Sequence, residues 1–174
     1  MANFQTPNFE AMAREIFKNI SPKVAQKARA FFMQSFIKQG FTDASFIPWV
    51  RRVDALPHKT LQQSLTLKNS LRIAEQSPER VVISAGEKLS YAAIHNEGGT
   101  ITVKVTDRMR KYFWAMYYKT QNSRYKWMAL TEKETLTIHI PKRQFIGESY
   151  TLDKQLEKLI IEEIHKADEN LTFE

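Results

Sequence analysis

The sequence predicts an α+β fold, and three observations lead to that class. Apolar residues recur at helical spacing near both ends of the chain. Several short segments between these ends alternate apolar and polar residues, which is typical of strands. Turn-forming residues separate these segments, so successive strands can fold back on each other. We therefore expect N-terminal helices, a small, mostly antiparallel sheet of about four strands, a basic aromatic helix and a C-terminal helix.

The first 40 residues are predicted to form two helices. Thr6-Pro7 places a capping hydroxyl before a proline, which is a typical helix start, and Ser21-Pro22 repeats that signal. The first helix is therefore expected to end or bend at Pro22, and the second helix is expected to stop at Gly40.

The strands are predicted in the middle of the chain. Residues 71–76 and 80–85 are expected to pair across Ser77-Pro78-Glu79. Residues 100–105 and 136–140 alternate in the same way, and each is expected to add a strand.

Further helices are predicted around these strands. A short helix is expected within residues 61–70, and residues 91–97 form a helical turn or two. The last helix is predicted from Leu152 to Ala167, because its apolar residues recur every three or four positions.

Length and composition restrict the class of protein. The chain has 174 residues, of which 43% are hydrophobic and 26% are charged, as in ordinary globular domains. Cysteine is absent, which excludes disulfides, a thiol nucleophile and thiolate zinc sites. The chain shows neither a membrane-spanning apolar run nor the layout of a secretory signal. A soluble, cytoplasm-type protein with no membrane partner is expected.

No repeat or change of composition divides the chain, so residues 1–174 are expected to form a single domain. Within it, residues 1–40 are the helical region, residues 41–167 combine the sheet with helices, and residues 168–174 are a frayed tail.

The net charge of +7 is concentrated in one basic aromatic stretch. Asp107 is expected to cap a helix over residues 108–119, and the stretch continues to residue 127. Interleaved basic and aromatic residues are typical of surfaces that hold phosphates and stack bases. Alternatively, the aromatic residues pack into a core or a neighbouring subunit, and the basic residues form the solvated face. The candidate phosphate contacts are Arg108, Arg110, Lys111, Arg124 and Lys126.

The sequence offers no pattern for catalysis or for a cofactor. Its four histidines are scattered, no carboxylate cluster completes a metal-ligand set, and both phosphate-loop patterns are missing. His95 has Ser90 and Glu97 near it in sequence, but nothing places a nucleophile on a strained turn or supplies an oxyanion loop. We expect no catalytic, cofactor-binding or metal-binding residues, and a hydrolase built on His95 is the weakest alternative.

Four segments carry more specific motifs. Residues 91–99 read YAAIHNEGG, and residues 140–147 read IPKRQFIG and lead into the C-terminal helix. Residues 46–52 form a loop that contains a tryptophan, and residues 65–73 read LTLKNSLRI. These segments resemble, respectively, the YAxIHxxGG, IPxRxF(L/I)G, Trp-loop and TGxLxxSI segments of the phage virion morphogenesis (tail-completion) family of tailed bacteriophages. Thr66-Leu67 stands where Thr-Gly or a similar pair is usual in that family.

The resemblance implies a non-enzymatic structural protein of a phage or prophage virion, acting in tail completion and head–tail joining. It implies self-association, expected as a ring, docking to neighbouring virion proteins, and assembly in the bacterial host cytoplasm. The first alternative is a non-specific nucleic-acid-binding module that uses residues 108–127. The two roles are compatible, because a ring at a neck would surround passing DNA.

The segments at residues 91–99 and 140–147, which match the family motifs best, also contain the candidate assembly residues. These are His95, Gly98, Gly99, Pro141, Arg143, Phe145 and Gly147. Gly98-Gly99 permits a positive φ, and Pro141 ends a strand without needing a ladder donor. Arg143 is suited to a fixed charged bond, and Phe145 to an exposed interface anchor. The alternative is that these residues lock the fold of the monomer.

Overall fold

A computed structural model describes residues 8–52 and 58–171. These residues form helices and antiparallel strands, so the predicted α+β class is confirmed. In chain order the elements are α1 (Phe9–Lys38), β1 (Gly40–Thr42), β2 (Phe46–Pro48), α2 (Thr66–Asn69), β3 (Arg72–Gln76), β4 (Val81–Ser84), α3 (Ala92–Glu97), β5 (Gly99–Lys104), α4 (Asp107–Thr120), α5 (Ser123–Ala129), β6 (Thr135–Ile140) and α6 (Tyr150–Leu171).

The chain divides into two compact units. The first unit combines the chain up to Glu97 with the chain from Lys142 onward, and the second unit is Gly98–Pro141. The expectation that residues 1–174 form one domain stays a prediction.

The N-terminal region is one helix rather than two. The predicted break at Pro22 is wrong, because α1 continues through it. Proline cannot donate to the carbonyl four residues earlier, which belongs to Lys18. The Ser21 hydroxyl lies 3.5 Å from that carbonyl and donates to it instead. A hydroxyl next to the proline therefore compensates for the missing backbone donor.

The ends of α1 are set by polar and left-handed residues. The predicted start at Thr6-Pro7 lies outside the described residues. The side chain of Asn8 caps α1 by accepting a hydrogen bond from a first-turn amide at 3.1 Å. At the other end Gln39 adopts a left-handed conformation, and Gly40 already belongs to β1.

The described strands form three two-stranded antiparallel sheets, β1–β2, β3–β4 and β5–β6. The pairing of β3 with β4 confirms the predicted hairpin. The prediction of one sheet of about four strands is wrong, because β5 and β6 pair with each other in the second unit. The hairpin β1–β2 was not expected, because residues 41–60 show no clear apolar period.

The core of the first unit lies where α1 meets the two hairpins, α6 and the segment before α6. One buried cluster consists of Ala28, Phe32, Phe41, Leu71 and Leu152. The other consists of Phe36, Trp49, Leu67, Ala92 and Phe145. Burial of these apolar side chains is the main favourable contribution to the folding of this unit.

The last helix is longer than predicted at both ends, because it runs from Tyr150 to Leu171. Its start is held by the hydroxyl of Ser149, which accepts from the amide of Leu152 at 3.2 Å and donates to the carbonyl of Thr42 at 2.8 Å. The end of the predicted frayed tail, residues 172–174, lies outside the described residues.

The second unit consists of the hairpin β5–β6 with α4 and α5 inserted between its strands. The cap of α4 is Thr106 and not Asp107, because the Thr106 hydroxyl accepts from the amide of Met109 at 3.2 Å. Asp107 is the first helical residue, where its negative charge favours the helix N-terminus. Phe113 and Ala129 are the buried hydrophobic residues described for this unit.

Candidate assembly site and basic helix pair

Hydrogen bonds within the first unit join the motif at residues 91–99 to the motif at residues 140–147. The amide of Arg143 donates to the carbonyl of His95 at 2.8 Å. The Asn96 side-chain oxygen accepts from the amides of Phe145 and Ile146 at 3.0 and 3.2 Å. The end of α3 therefore holds the segment that leads into α6, which we call the locking segment (residues 142–149).

The tryptophan loop is attached to the same locking segment. The Trp49 indole N–H donates to the carbonyl of Gln144 at 2.7 Å, and the indole is 7% exposed. The Arg143 Nε donates to the carbonyl of Val50 at 3.2 Å. The end of α3 and the tryptophan loop, which are far apart in sequence, thus both contact the locking segment.

Phe145 is buried in the monomer, so the expectation of an exposed aromatic anchor is wrong. Its side chain is 1% exposed, and its ring centroid lies 5.4 Å from that of Phe36. Phe36 in turn contacts Trp49 at 5.7 Å in an edge-to-face arrangement. Arg143 is also buried. These contacts favour the alternative that the locking segment holds the fold, and its role in assembly stays a prediction.

His95 lies partly buried beside Tyr91, with ring centroids 6.0 Å apart. Burial, and then the positive charge of Arg143, lowers the pKa of His95. Among the described residues, nothing makes a hydrogen bond to its buried Nδ1 atom.

The structure does not assemble the catalytic grouping that could be drawn around His95. Both Ser90 and Glu97 are exposed, and neither makes a hydrogen bond to His95 within the described part of the chain. Residues 8–52 and 58–171 also contain no cluster of His, Asp or Glu arranged to hold a metal ion.

A shallow groove of about 380 Å³ lies beside His95 in the first unit. Arg52, Tyr91 and Arg143 line it together with Leu61 and polar residues. Arg52 contacts His58, and Arg143 is held by the bonds already described. The groove therefore has a basic and aromatic rim whose side chains already serve the fold.

The candidate glycines and proline lie at or next to the ends of helices and strands, or in the locking segment. Gly98 has a φ of 76°, so the predicted positive φ is observed, and Gly99 pairs with Ile140 at the open end of the β5–β6 hairpin. Pro141 directly follows β6. In the locking segment, Gly147 has a φ of 142°.

The aromatic residues of the basic helix pair, α4 and α5, divide between the interior and the surface of the second unit. Phe113 is buried and stacks on Tyr125 with centroids 6.4 Å apart, so some aromatic residues do pack inside the second unit. Tyr112, Tyr118 and Trp127 are instead 56%, 69% and 71% exposed.

The five candidate phosphate contacts also differ in their surroundings. Arg110 donates to the carbonyls of Ala129 and Thr131, and the first bond measures 3.1 Å. It thereby holds the end of α5. The remaining candidates, Arg108, Lys111, Arg124 and Lys126, are exposed. The ammonium of Lys126 lies 6.0 Å from the ring centroid of Tyr117.

Sequence reasoning missed Asn96, although it satisfies two backbone amides. It also gave Trp49 no specific partner. The available signal was the placement of Asn96 next to His95 inside the first motif, since a short amide side chain at a helix end often binds backbone.

The motif residues Arg143 and Phe145 are buried in the first unit, whereas the basic aromatic helices α4 and α5 expose much of their surface. The model of the phage virion morphogenesis family matches residues 48–165. The match covers more than half of the chain, which therefore belongs to this family. Comparisons with curated proteins and with solved structures gave no match.

The protein is thus a phage structural or assembly protein associated with the virion. No helix among the described residues has the length and apolar character needed to cross a membrane.

Proposed function

We propose that this protein acts in tail completion and head–tail joining of a phage or prophage. It does so through self-association, expected as a ring, and through docking to neighbouring virion proteins. The observation that carries the proposal is the family match over residues 48–165, which includes the segments that meet at the locking segment. On this proposal the protein is assembled into the virion in the bacterial host cytoplasm.

The β1–β2 hairpin supplies a surface suited to self-association. Phe46, Ile47 and Val50 are 45%, 60% and 59% exposed. Three large apolar side chains exposed within five residues of one hairpin are typical of protein contacts. The backbone next to these side chains is held in place, because Trp49 is buried and its indole N–H donates a hydrogen bond to the carbonyl of Gln144.

The strand geometry supports the same surface. Because β1 and β2 form a sheet by themselves, β2 has one edge that is not paired within the described residues. Such an edge can bind a strand or loop of another subunit through backbone hydrogen bonds. We assign the hairpin to the contact between copies of this chain.

The proposed role requires no catalytic step. A hydrolase built on His95 is weakly supported, since neither Ser90 nor Glu97 is hydrogen-bonded to it in the described part of the chain.

The proposal is tested by complementing a phage whose gene for this protein carries an early stop codon. Without the protein, electron microscopy should show filled heads and separate tails, and the parental protein should restore joined particles. Joined, infectious particles in its complete absence would contradict the proposal.

The hairpin is tested with the double variant Ile47→Asp, Val50→Asp. Light scattering should show a lower mass than for the parent, and joining should fail. The matched control is Ile161→Asp on α6, which alters a side chain of similar exposure, 48%. It should assemble normally. A hairpin variant with parental mass and normal joining would remove this surface from the proposal.

A further inference from the structure

We propose that one face of α4 binds the phosphate backbone of double-stranded DNA without regard to base sequence. This outer face consists of the exposed residues Arg108, Lys111, Tyr112, Ala115, Tyr118 and Lys119. The inference is independent of head–tail joining, because it depends only on the shape and charge of this helix.

The spacing of these residues makes them a single surface. Counted from Arg108, they follow at three, four, seven, ten and eleven positions, which is the repeat of one helix face. Phe113, on the opposite side, is buried in the second unit and fixes which face is exposed. With about 1.5 Å rise per residue, the face is on the order of 16 Å long.

The outer face is positive and contains no acid. Within the described residues, no ion pair links Arg108, Lys111 or Lys119 to a carboxylate. The lysines of α6 differ, since Lys154 binds Glu157 at 2.7 Å and Lys166 binds Glu163 at 2.9 Å. The lysines of α6 are thus paired with carboxylates of their own helix, whereas the cations of the outer face of α4 are available to an anionic partner.

A second copy of this chain is a poor match for such a face. The second unit has eight basic and three acidic residues, so two such units repel each other. The first unit has 18 basic and 16 acidic residues, so it offers no net negative charge, and three of the acids on α6 are paired with lysines of that helix. Charge complementarity therefore favours an external polyanion.

Duplex DNA fits the outer face in shape as well as in charge. It presents about one phosphate charge per 1.7 Å of its axis. Its major groove, about 12 Å wide, admits a helix, whereas the major groove of duplex RNA is too narrow. Ala115 at the centre of the face permits close approach. Tyr112 and Tyr118 can donate hydroxyl hydrogen bonds to phosphate oxygens.

Arg110, one of the five candidate phosphate contacts that the sequence indicated, does not belong to the outer face. Arg110 is occupied at the end of α5, so it is excluded from the DNA contact. Arg124 and Lys126 on α5 are exposed and add positive charge to the same unit.

The test measures the binding of the full chain to a fluorescent 30-base-pair duplex by anisotropy, between 50 and 200 mM salt. The parent should bind, with affinity that falls steeply as salt rises. The face variant Arg108→Ala, Lys111→Ala, Lys119→Ala should lose at least about tenfold in affinity at 50 mM salt. Its salt slope should fall by about 2.7, since each lost phosphate contact contributes about 0.9.

The matched control is Lys27→Ala, Lys59→Ala, Lys88→Ala, which removes the same charge from exposed positions of the first unit. It should keep the parental slope. Melting curves verify folding, and if the triple face variant melts early, Arg108→Gln with Lys119→Gln replaces it. That pair should reduce the slope by about 1.8.

Four results would overturn the inference. The first two are absence of binding at 50 mM salt and equal losses of affinity in the face and control variants. The third is equally tight binding of an RNA duplex of the same sequence. The fourth is displacement of the DNA by polyglutamate at equal charge concentration. The last result would identify the partner as an acidic protein surface.

Discussion

The first unit holds most of the large buried side chains, whereas the second unit exposes most of its basic residues and three of its seven aromatic ones. Phe36, Leu71 and Phe145 are almost completely inaccessible in the first unit. In the second unit Tyr118 and Trp127 are 69% and 71% exposed. The second unit contains eight basic and three acidic residues, whereas the numbers of basic and acidic residues are nearly equal in the rest of the chain.

This difference shows what the family motifs do. Arg143, Phe145 and Asn96, which belong to the motifs, build the interior and the hydrogen bonds of the first unit. The exposed cations and aromatic rings lie in the stretch between the motifs. A motif match therefore reports mainly on how the protein folds, and the chemistry of its contacts has to be sought elsewhere.

The largest effect is expected from removing an aromatic ring in the first unit. Phe145→Ala should lower the free energy of unfolding by about 3–5 kcal/mol, because it leaves a cavity beside Phe36. Thermal and urea unfolding measure the loss.

Trp127→Ala is the matched change in the second unit. Since Trp127 is 71% exposed, its removal should alter stability by no more than about 0.5 kcal/mol. Equal losses of stability in the two variants would contradict the difference in burial between Phe145 and Trp127.

The next effect distinguishes two neighbouring cations of α4. Arg110→Met should destabilise the second unit by about 1.5–3 kcal/mol, because it removes the hydrogen bonds to Ala129 and Thr131. Lys111→Met should be nearly neutral for stability, and hydrogen exchange over residues 98–141 measures both. If Lys111→Met proved the more destabilising change, Arg110 would not be the structural member of the pair.

A smaller effect is expected where the motifs join. Asn96→Ala leaves the amides of Phe145 and Ile146 without their acceptor, at a cost of about 1–3 kcal/mol. Asn69→Ala, at an exposed position, is the control and should melt like the parent. Similar melting temperatures for the two variants would show that the Asn96 hydrogen bonds add nothing to the first unit.

The smallest effect concerns pH. The pKa of His95 is lowered, so between that value and its ordinary pKa near 6.5 the unfolded chain binds a proton that the folded chain does not. Stability should be full above about pH 7 and decline as the pH falls through 6.5. His95→Gln should make this decline shallower in melting curves recorded from pH 7.5 to 5.5. Parallel declines in the parent and the variant would contradict this assignment.

Local sequence patterns were sufficient to predict the features that depend on neighbouring residues. The β3–β4 hairpin and α4 were predicted near their observed positions, because alternation and helical spacing are local patterns. The concentration of charge around α4 was visible for the same reason. The motifs at residues 91–99 and 140–147 indicated the family that the match confirmed.

The partner of each buried residue, in contrast, depends on how distant segments pack in three dimensions. Asn96 and Phe145 lie 49 positions apart, and no local pattern predicts that one satisfies the backbone of the other. Phe145 was expected at an interface and is buried against Phe36. Composition shows that a side chain is apolar or charged, but its burial depends on distant segments that pack against it.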